Sequence, residues 1–156
     1  MTTTPPAGSS TLPDPAATRA LGERLGAAAE PGDVIALVGP LGAGKTELAR
    51  GIARGLGVVG PIASPTFIVI AEHEGRLPLF HVDAYRLDGA ADALGAGILD
   101  ERRADGVTVI EWAERLGAAL PRGRLEIRID GAGDDPRTVE AMATDARHAR
   151  LLGPIA

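Results

Sequence analysis

Gly39-Pro40-Leu41-Gly42-Ala43-Gly44-Lys45-Thr46 is the stretch that decides how this chain folds. It fits G-x-x-x-x-G-K-[ST], the Walker A phosphate loop, a pattern that requires a buried strand before it and a helix after it. Both are legible. Val34–Val38 (VIALV) is a short continuous apolar run, as expected of a strand covered on both faces. From Lys45 to about Gly55, Leu48, Ala49, Ile52 and Ala53 recur on one side of a helix. Gly42 and Gly44 allow backbone conformations that turn successive N–H groups toward one point, and the new helix adds its positive dipole end. Lys45 can reach the β- and γ-phosphates of a nucleotide, and Thr46 offers a hydroxyl to Mg²⁺. Leu41, Gly42, Ala43, Gly44, Lys45, Thr46 and Glu47 are therefore the candidate nucleotide-contacting run.

Composition supports the special place of Lys45. Of 16 basic residues, 15 are arginine and Lys45 is the one lysine. Where arginine serves as the generic cation, a surviving lysine marks a site that needs a compact point charge. The chain has 156 residues, a net charge of −5 and no cysteine, which suits one domain. The missing cysteines exclude disulfides, Cys-ligated zinc, iron–sulfur clusters and a thiol nucleophile. The acidic balance argues against gripping DNA or RNA alone. No apolar run is long enough for a membrane span and the N-terminus has no signal-peptide pattern, so the expectation is a cytoplasmic protein.

Working outward, residues 1–13 read as a disordered lead-in, 14–145 as the domain and 146–156 as a weakly ordered tail. Asp14-Pro15 is a helix start, followed by Ala17, Leu21, Leu25 and Ala28 at near-helical spacing and closed by Pro31-Gly32. Phe67–Ile70 and Leu77–Val82 read as a hairpin around Glu74-Gly75. Asp88–Leu94 suggests a short helix, Val107–Ile110 a buried strand, and Glu114–Leu120 a helix ending at Pro121. Leu125–Ile129 alternates as a half-exposed strand, and Thr138–Ala143 suggests an edge strand. The sum is an α/β domain with a mostly parallel sheet.

A phosphate-loop site also needs acidic residues for the Mg²⁺ shell or for orienting water. Two strands end in one: Leu79-Phe80-His81-Val82 leads into Asp83, and Val107-Thr108-Val109-Ile110 leads into Glu111. Ligands of open α/β sheets lie beyond the carboxyl ends of strands, so both can face the loop. Ser64-Pro65-Thr66 carries two hydroxyls, either a switch-like contact or simple turn chemistry. His81, between apolar Phe80 and Val82, reads as a structural histidine rather than a base. Trp112 reads chiefly as packing.

Taken in order, GPLGAGKT (39–46), SPTF (64–67), HVDAYRL (81–87) and VIEWAERL (109–116) resemble the TsaE family of bacterial tRNA threonylcarbamoyladenosine (t6A) modification. The resemblance implies a P-loop NTPase fold and a cytoplasmic, ATP- and Mg²⁺-dependent ATPase. It implies slow intrinsic hydrolysis, TsaB and TsaD as partners, tRNA reached through them, and modification at adenosine 37. Carried over by position, Lys45 and Thr46 are the phosphate and Mg²⁺ residues, Thr66 the switch-like contact, and Asp83 and Glu111 the acidic pair at the hydrolytic and metal centre. The family loop usually reads GDLGAGKTT. Here Pro40 removes one N–H distant from the β-phosphate, and Glu47 brings a negative charge to the first helical turn. Two other readings compete: a small-molecule P-loop kinase, for which Arg102 and Arg103 offer only a short lid, and a nucleotide-gated adaptor that does not hydrolyse.

Overall fold

The computed structural model describes residues 6–60, 70–85, 87 and 101–155. Seven strands form one sheet: β1 (Ala7–Leu12), β2 (Val34–Val38), β3 (Ile70–His73), β4 (Leu79–Asp83), β5 (Val107–Glu111), β6 (Leu125–Asp130) and β7 (Arg137–Ala143). Their spatial order is β1-β7-β6-β2-β5-β4-β3. The central four, β6-β2-β5-β4, are parallel, and antiparallel strands complete both edges. The phosphate-loop strand β2 thus lies in the middle, and its Leu37 pairs in register with both Glu111 and Ile127. The hairpin expected around residues 74–75 is present as β3–β4. Of the expected strand Phe67–Ile70, only Ile70 is among the described residues, and the expected helix Asp88–Leu94 falls outside them.

Helices α1 (Pro15–Ala28) and α2 (Lys45–Gly55) pack on one face of the sheet. Asp14 caps α1 by accepting from the Ala17 N–H at 2.8 Å, and Pro15 takes the first turn, where its missing N–H costs nothing. Leu21 and Leu25 of α1 and Leu48 and Ile52 of α2 are fully buried against Ile35, Leu37, Val107 and Val109. Each such side chain contributes about 1.5–3 kcal/mol of hydrophobic stabilisation. The two helices approach backbone to backbone at Gly22, Gly26, Gly51 and Gly55. A Cβ on Gly26 would stand 2.2 Å from the Ile52 carbonyl oxygen, and one on Gly55 2.2 Å from that of Glu23. The opposite face of β2, β4 and β5 buries Val34, Ala36, Val82 and Ile110 beneath Ala113, Leu116 and Ala119.

Two local expectations are corrected. Residues 7–12 are not a disordered lead-in but strand β1, paired with β7 along its whole length, from Ala7 opposite Met142 to Leu12 opposite Arg137. Small polar residues at a sheet edge show no apolar alternation, so backbone pairing left no pattern to read; only Leu12 enters the core. The tail 146–156 is not weakly ordered over its described part. Helix α3 (Ala146–Ala149) and a 3-10 turn (Arg150–Ile155) place Leu151 and Ile155 fully in the core. Asp145 caps α3 through the His148 N–H, and Arg147 and Arg150 clasp buried Asp33. The helical run expected at Glu114–Leu120 is present as 3-10 turns over Ala113–Ala119, kinked at Gly117 (φ 51°, ψ −123°).

Candidate functional site at the phosphate loop

Gly39 to Gly44 carry the chain from the C-terminal end of β2 into α2. Gly42 and Gly44 adopt φ of 79° and 110°, conformations that a Cβ would strain. A Cβ on Gly39 would stand 2.1 Å from the Ile129 carbonyl oxygen, so the first glycine lets the loop lie against β6. Gly44 caps α2 without a side-chain acceptor, which leaves the helix's leading N–H groups to whatever sits in the loop. Arg137 braces the loop from β7: its guanidinium donates to the carbonyls of Ala43 (3.0 Å) and Gly42 (3.3 Å), and also to Gly133 and Asp135.

The Lys45 ammonium is buried and turned back on its own loop. It donates to the carbonyls of Gly39 (2.6 Å) and Pro40 (2.8 Å) and lies 3.9 Å from the Trp112 ring centroid. Burial lowers its pKa from the usual lysine value, opposed by the charges of Glu114, Glu111 and Asp83. Trp112 is the one described non-glycine residue at positive φ, 58°. Its ring packs on Tyr85 at 4.9 Å between centroids. Pro40 acts through its carbonyl, so the missing N–H leaves the lysine's anchor intact.

The acidic pair meets this loop. Asp83 and Glu111 are register partners at the ends of β4 and β5. Glu111 is buried; its Oε1 accepts from Thr46 Oγ1 at 2.8 Å, and its Oε2 lies 2.5 Å from His81 Nε2. Asp83 is partly exposed and accepts from the Tyr85 N–H at 3.0 Å. Lys45, Thr46, Asp83 and Glu111 are therefore one constellation, whereas Thr66 lies outside the described residues. Glu47 points between Arg19 (3.0 Å) and Arg50 (2.7 Å), so its charge is compensated; burial raises its pKa, but the two arginines bring it below the usual value. Leu41 is exposed at the loop's tip.

A cavity of about 300 Å³ opens beside the loop, bounded by Asp14, Thr18, Gly42–Gly44, Glu47, Asp134 and Arg137 among others. Sequence reasoning missed Arg137 and this cavity, since Asp14 had a sufficient local explanation as a helix cap. It also gave no role to Glu114, although that residue lies within VIEWAERL (109–116) and its charge acts on Lys45. The donors fit Mg²⁺: a threonine hydroxyl and two carboxylates are hard oxygen ligands. Among the described residues no group of three or more His, Asp and Glu could hold a metal alone.

Comparison with known proteins gives the family and the fold. The family model "Threonylcarbamoyl adenosine biosynthesis protein TsaE" matches residues 12–139. The tRNA threonylcarbamoyladenosine biosynthesis protein TsaE of Bacillus subtilis is 43% identical over 140 residues, covering 88% of this chain and 87% of that protein. Its Streptomyces coelicolor counterpart is 43% identical over 138 residues, covering 86% and 89%. The crystal structure of Bacillus subtilis YdiB superimposes with a TM-score of 0.80 at 35% identity, covering 99% of this chain and 97% of that one. The fold is that of a P-loop nucleotide-binding protein, as the resemblance implied. A family model matched over residues 12–139 and relatives 43% identical along most of their length put it plainly: the chain belongs to the TsaE family.

Proposed function

We propose that this chain binds ATP with Mg²⁺ and hydrolyses it as the partner-dependent ATPase subunit of t6A modification of tRNA at adenosine 37, acting with TsaB and TsaD. The observation that carries the reading is the hydrogen bond from Thr46 to Glu111 beside the Lys45 ammonium. Donating its proton to Glu111 leaves the Thr46 oxygen with lone pairs for a cation. Mg²⁺, held by Thr46 with Asp83 and Glu111 behind it, would neutralise charge on the β- and γ-phosphates. The backbone of residues 41–46 cradles those phosphates, and Lys45 supplies a fixed positive charge. The cavity beside Gly42–Gly44 is the place for the nucleoside. Asp83, the more exposed carboxylate, is suited to orient the attacking water. Thr66 is the proposed switch-like contact.

Partner dependence has its own support. Lys45 is tied to Gly39 and Pro40 and covered by Trp112, so phosphate oxygens must draw it from an already satisfied position. A partner at the strand-end face, beside exposed Leu41 and Tyr85, can complete the site. The net charge of −5 fits tRNA reached through partners rather than gripped by this chain alone. The test is ATP hydrolysis by the purified chain with and without TsaB–TsaD, using Lys45→Ala as the blank. Stimulation that vanishes in the variant supports the reading. A rate that partners leave unchanged favours an adaptor that senses nucleotide without hydrolysis.

A further inference from the structure

Glu111 is held from two directions, and only one belongs to the phosphate loop. His81 and Glu111 project to the same face of the sheet. β4 and β5 run in register, His81 opposite Val109 and Asp83 opposite Glu111, and Leu79, Val107 and Val109 of that face lie in the core beneath α1 and α2. His81 is 1% exposed and Glu111 3%. A carboxylate so buried needs its lone pairs answered. One oxygen is met by Thr46 and the other by His81 Nε2. A carboxylate only accepts, so the imidazole donates through Nε2. With both oxygens engaged, the carboxylate plane cannot rotate about its last torsion without breaking a buried bond.

We propose that His81 is a positioning residue. It fixes the Glu111 carboxylate so that Oε1 meets the Thr46 hydroxyl, and it thereby keeps the Thr46 oxygen turned toward the Mg²⁺–nucleotide. This inference rests on the Mg²⁺–nucleotide reading above and adds to it a residue that acts through Glu111 without touching phosphate. The role needs an N–H at the place of Nε2, not merely a side chain of histidine's volume.

The test uses His81→Gln, His81→Asn and His81→Leu in the full chain. A glutamine amide can bring an N–H near the position of Nε2, an asparagine amide falls short of it, and leucine has no donor. ADP affinity is measured with and without Mg²⁺ by the fluorescence of Trp112, the one tryptophan in the chain, whose ring lies beside Lys45. kcat and KM for ATP are measured in the presence of partners. The Gln variant retains the wild-type ratio of Mg²⁺-bound to metal-free affinity. The Asn and Leu variants lose about 10- to 100-fold in that ratio and in kcat, the range for residues that orient a metal's ligands. Metal-free ADP affinity stays within about two-fold in all three, since the phosphate loop is untouched. A wild-type ratio in the Asn or Leu variant overturns the proposal. So does an equal loss in all three, which would make His81 a packing residue. If the Leu variant does not fold, the comparison of Gln with Asn decides. If the wild-type chain itself shows no Mg²⁺ effect on ADP binding, the nucleotide reading fails first and takes this inference with it.

Discussion

Thr46 and Glu111, 65 positions apart in the sequence, share a hydrogen bond of 2.8 Å from Oγ1 to Oε1. Thr46 lies in the first turn of α2 and Glu111 closes β5; β2 and β5 are adjacent parallel strands, so both reach the same end of the sheet. The bond couples the hydroxyl proposed for the cation with a buried carboxylate that orients it.

Glu111→Gln keeps the volume and one acceptor but removes the charge. Partner-stimulated hydrolysis is expected to fall by about 10²- to 10³-fold, the usual loss when one preorganised electrostatic group is removed. ADP binding without Mg²⁺ stays within a few-fold. Steady-state phosphate release and an ADP titration check the two halves separately.

Lys45 occupies a pocket shaped for a point charge, between two loop carbonyls and an indole face. Lys45→Arg is therefore expected to fail as completely as Lys45→Ala, each losing about 10²-fold or more in hydrolysis, because a planar guanidinium cannot take the same place. Binding of Mg²⁺–ATP changes the Trp112 emission in the wild type and not in Lys45→Ala. An arginine variant with near wild-type turnover would contradict this account of the single lysine.

Gly26→Ala places a methyl 2.2 Å from the Ile52 carbonyl oxygen and 2.9 Å from the Gly55 Cα. Backbone cannot yield as a side-chain tip does, so α1 and α2 must part, at a cost of about 1–3 kcal/mol. Gly153→Ala, whose Cβ meets nothing within 4 Å, is the control. Urea denaturation midpoints should separate the two.

Asp33 is fully buried and clasped by Arg150 and Arg147. Burial raises its pKa, but the Arg150 bond, the Glu30 N–H and Arg147 outweigh that and hold it below 3.8. A folded value below the unfolded one means the stabilisation is complete above 3.8 and is lost as pH falls through the lower, folded value. Asp33→Asn is expected to flatten the acid limb of the stability curve. At neutral pH it costs near the low end of the about 3–5 kcal/mol for breaking a buried pair, because both arginines stay part-exposed. Thermal melts from pH 2 to pH 7 would show both effects.

What the sequence determined by itself was local. The phosphate loop, its flanking strand and helix, and the Asp14-Pro15 cap each lie within a few adjacent residues, where glycine, proline and apolar runs act through short-range sterics. The acidic strand ends were legible as candidates because a strand's carboxyl end is where such a sheet binds ligands. Only the tertiary structure decided their company. Parallel pairing of β4 with β5 brought Asp83 to Glu111 and set His81 against its other oxygen, a contact no spacing in HVDAYRL announces. The brace from Arg137 crosses 94 positions to Ala43. Strand β1 owes its existence to backbone bonds with β7, which carry no side-chain signature. The buried C-terminus owes its order to Leu151, Ile155 and the Asp33 clasp. Such features come from pairing between distant segments, and hydrogen bonds and packing of that kind exist only once the chain has folded.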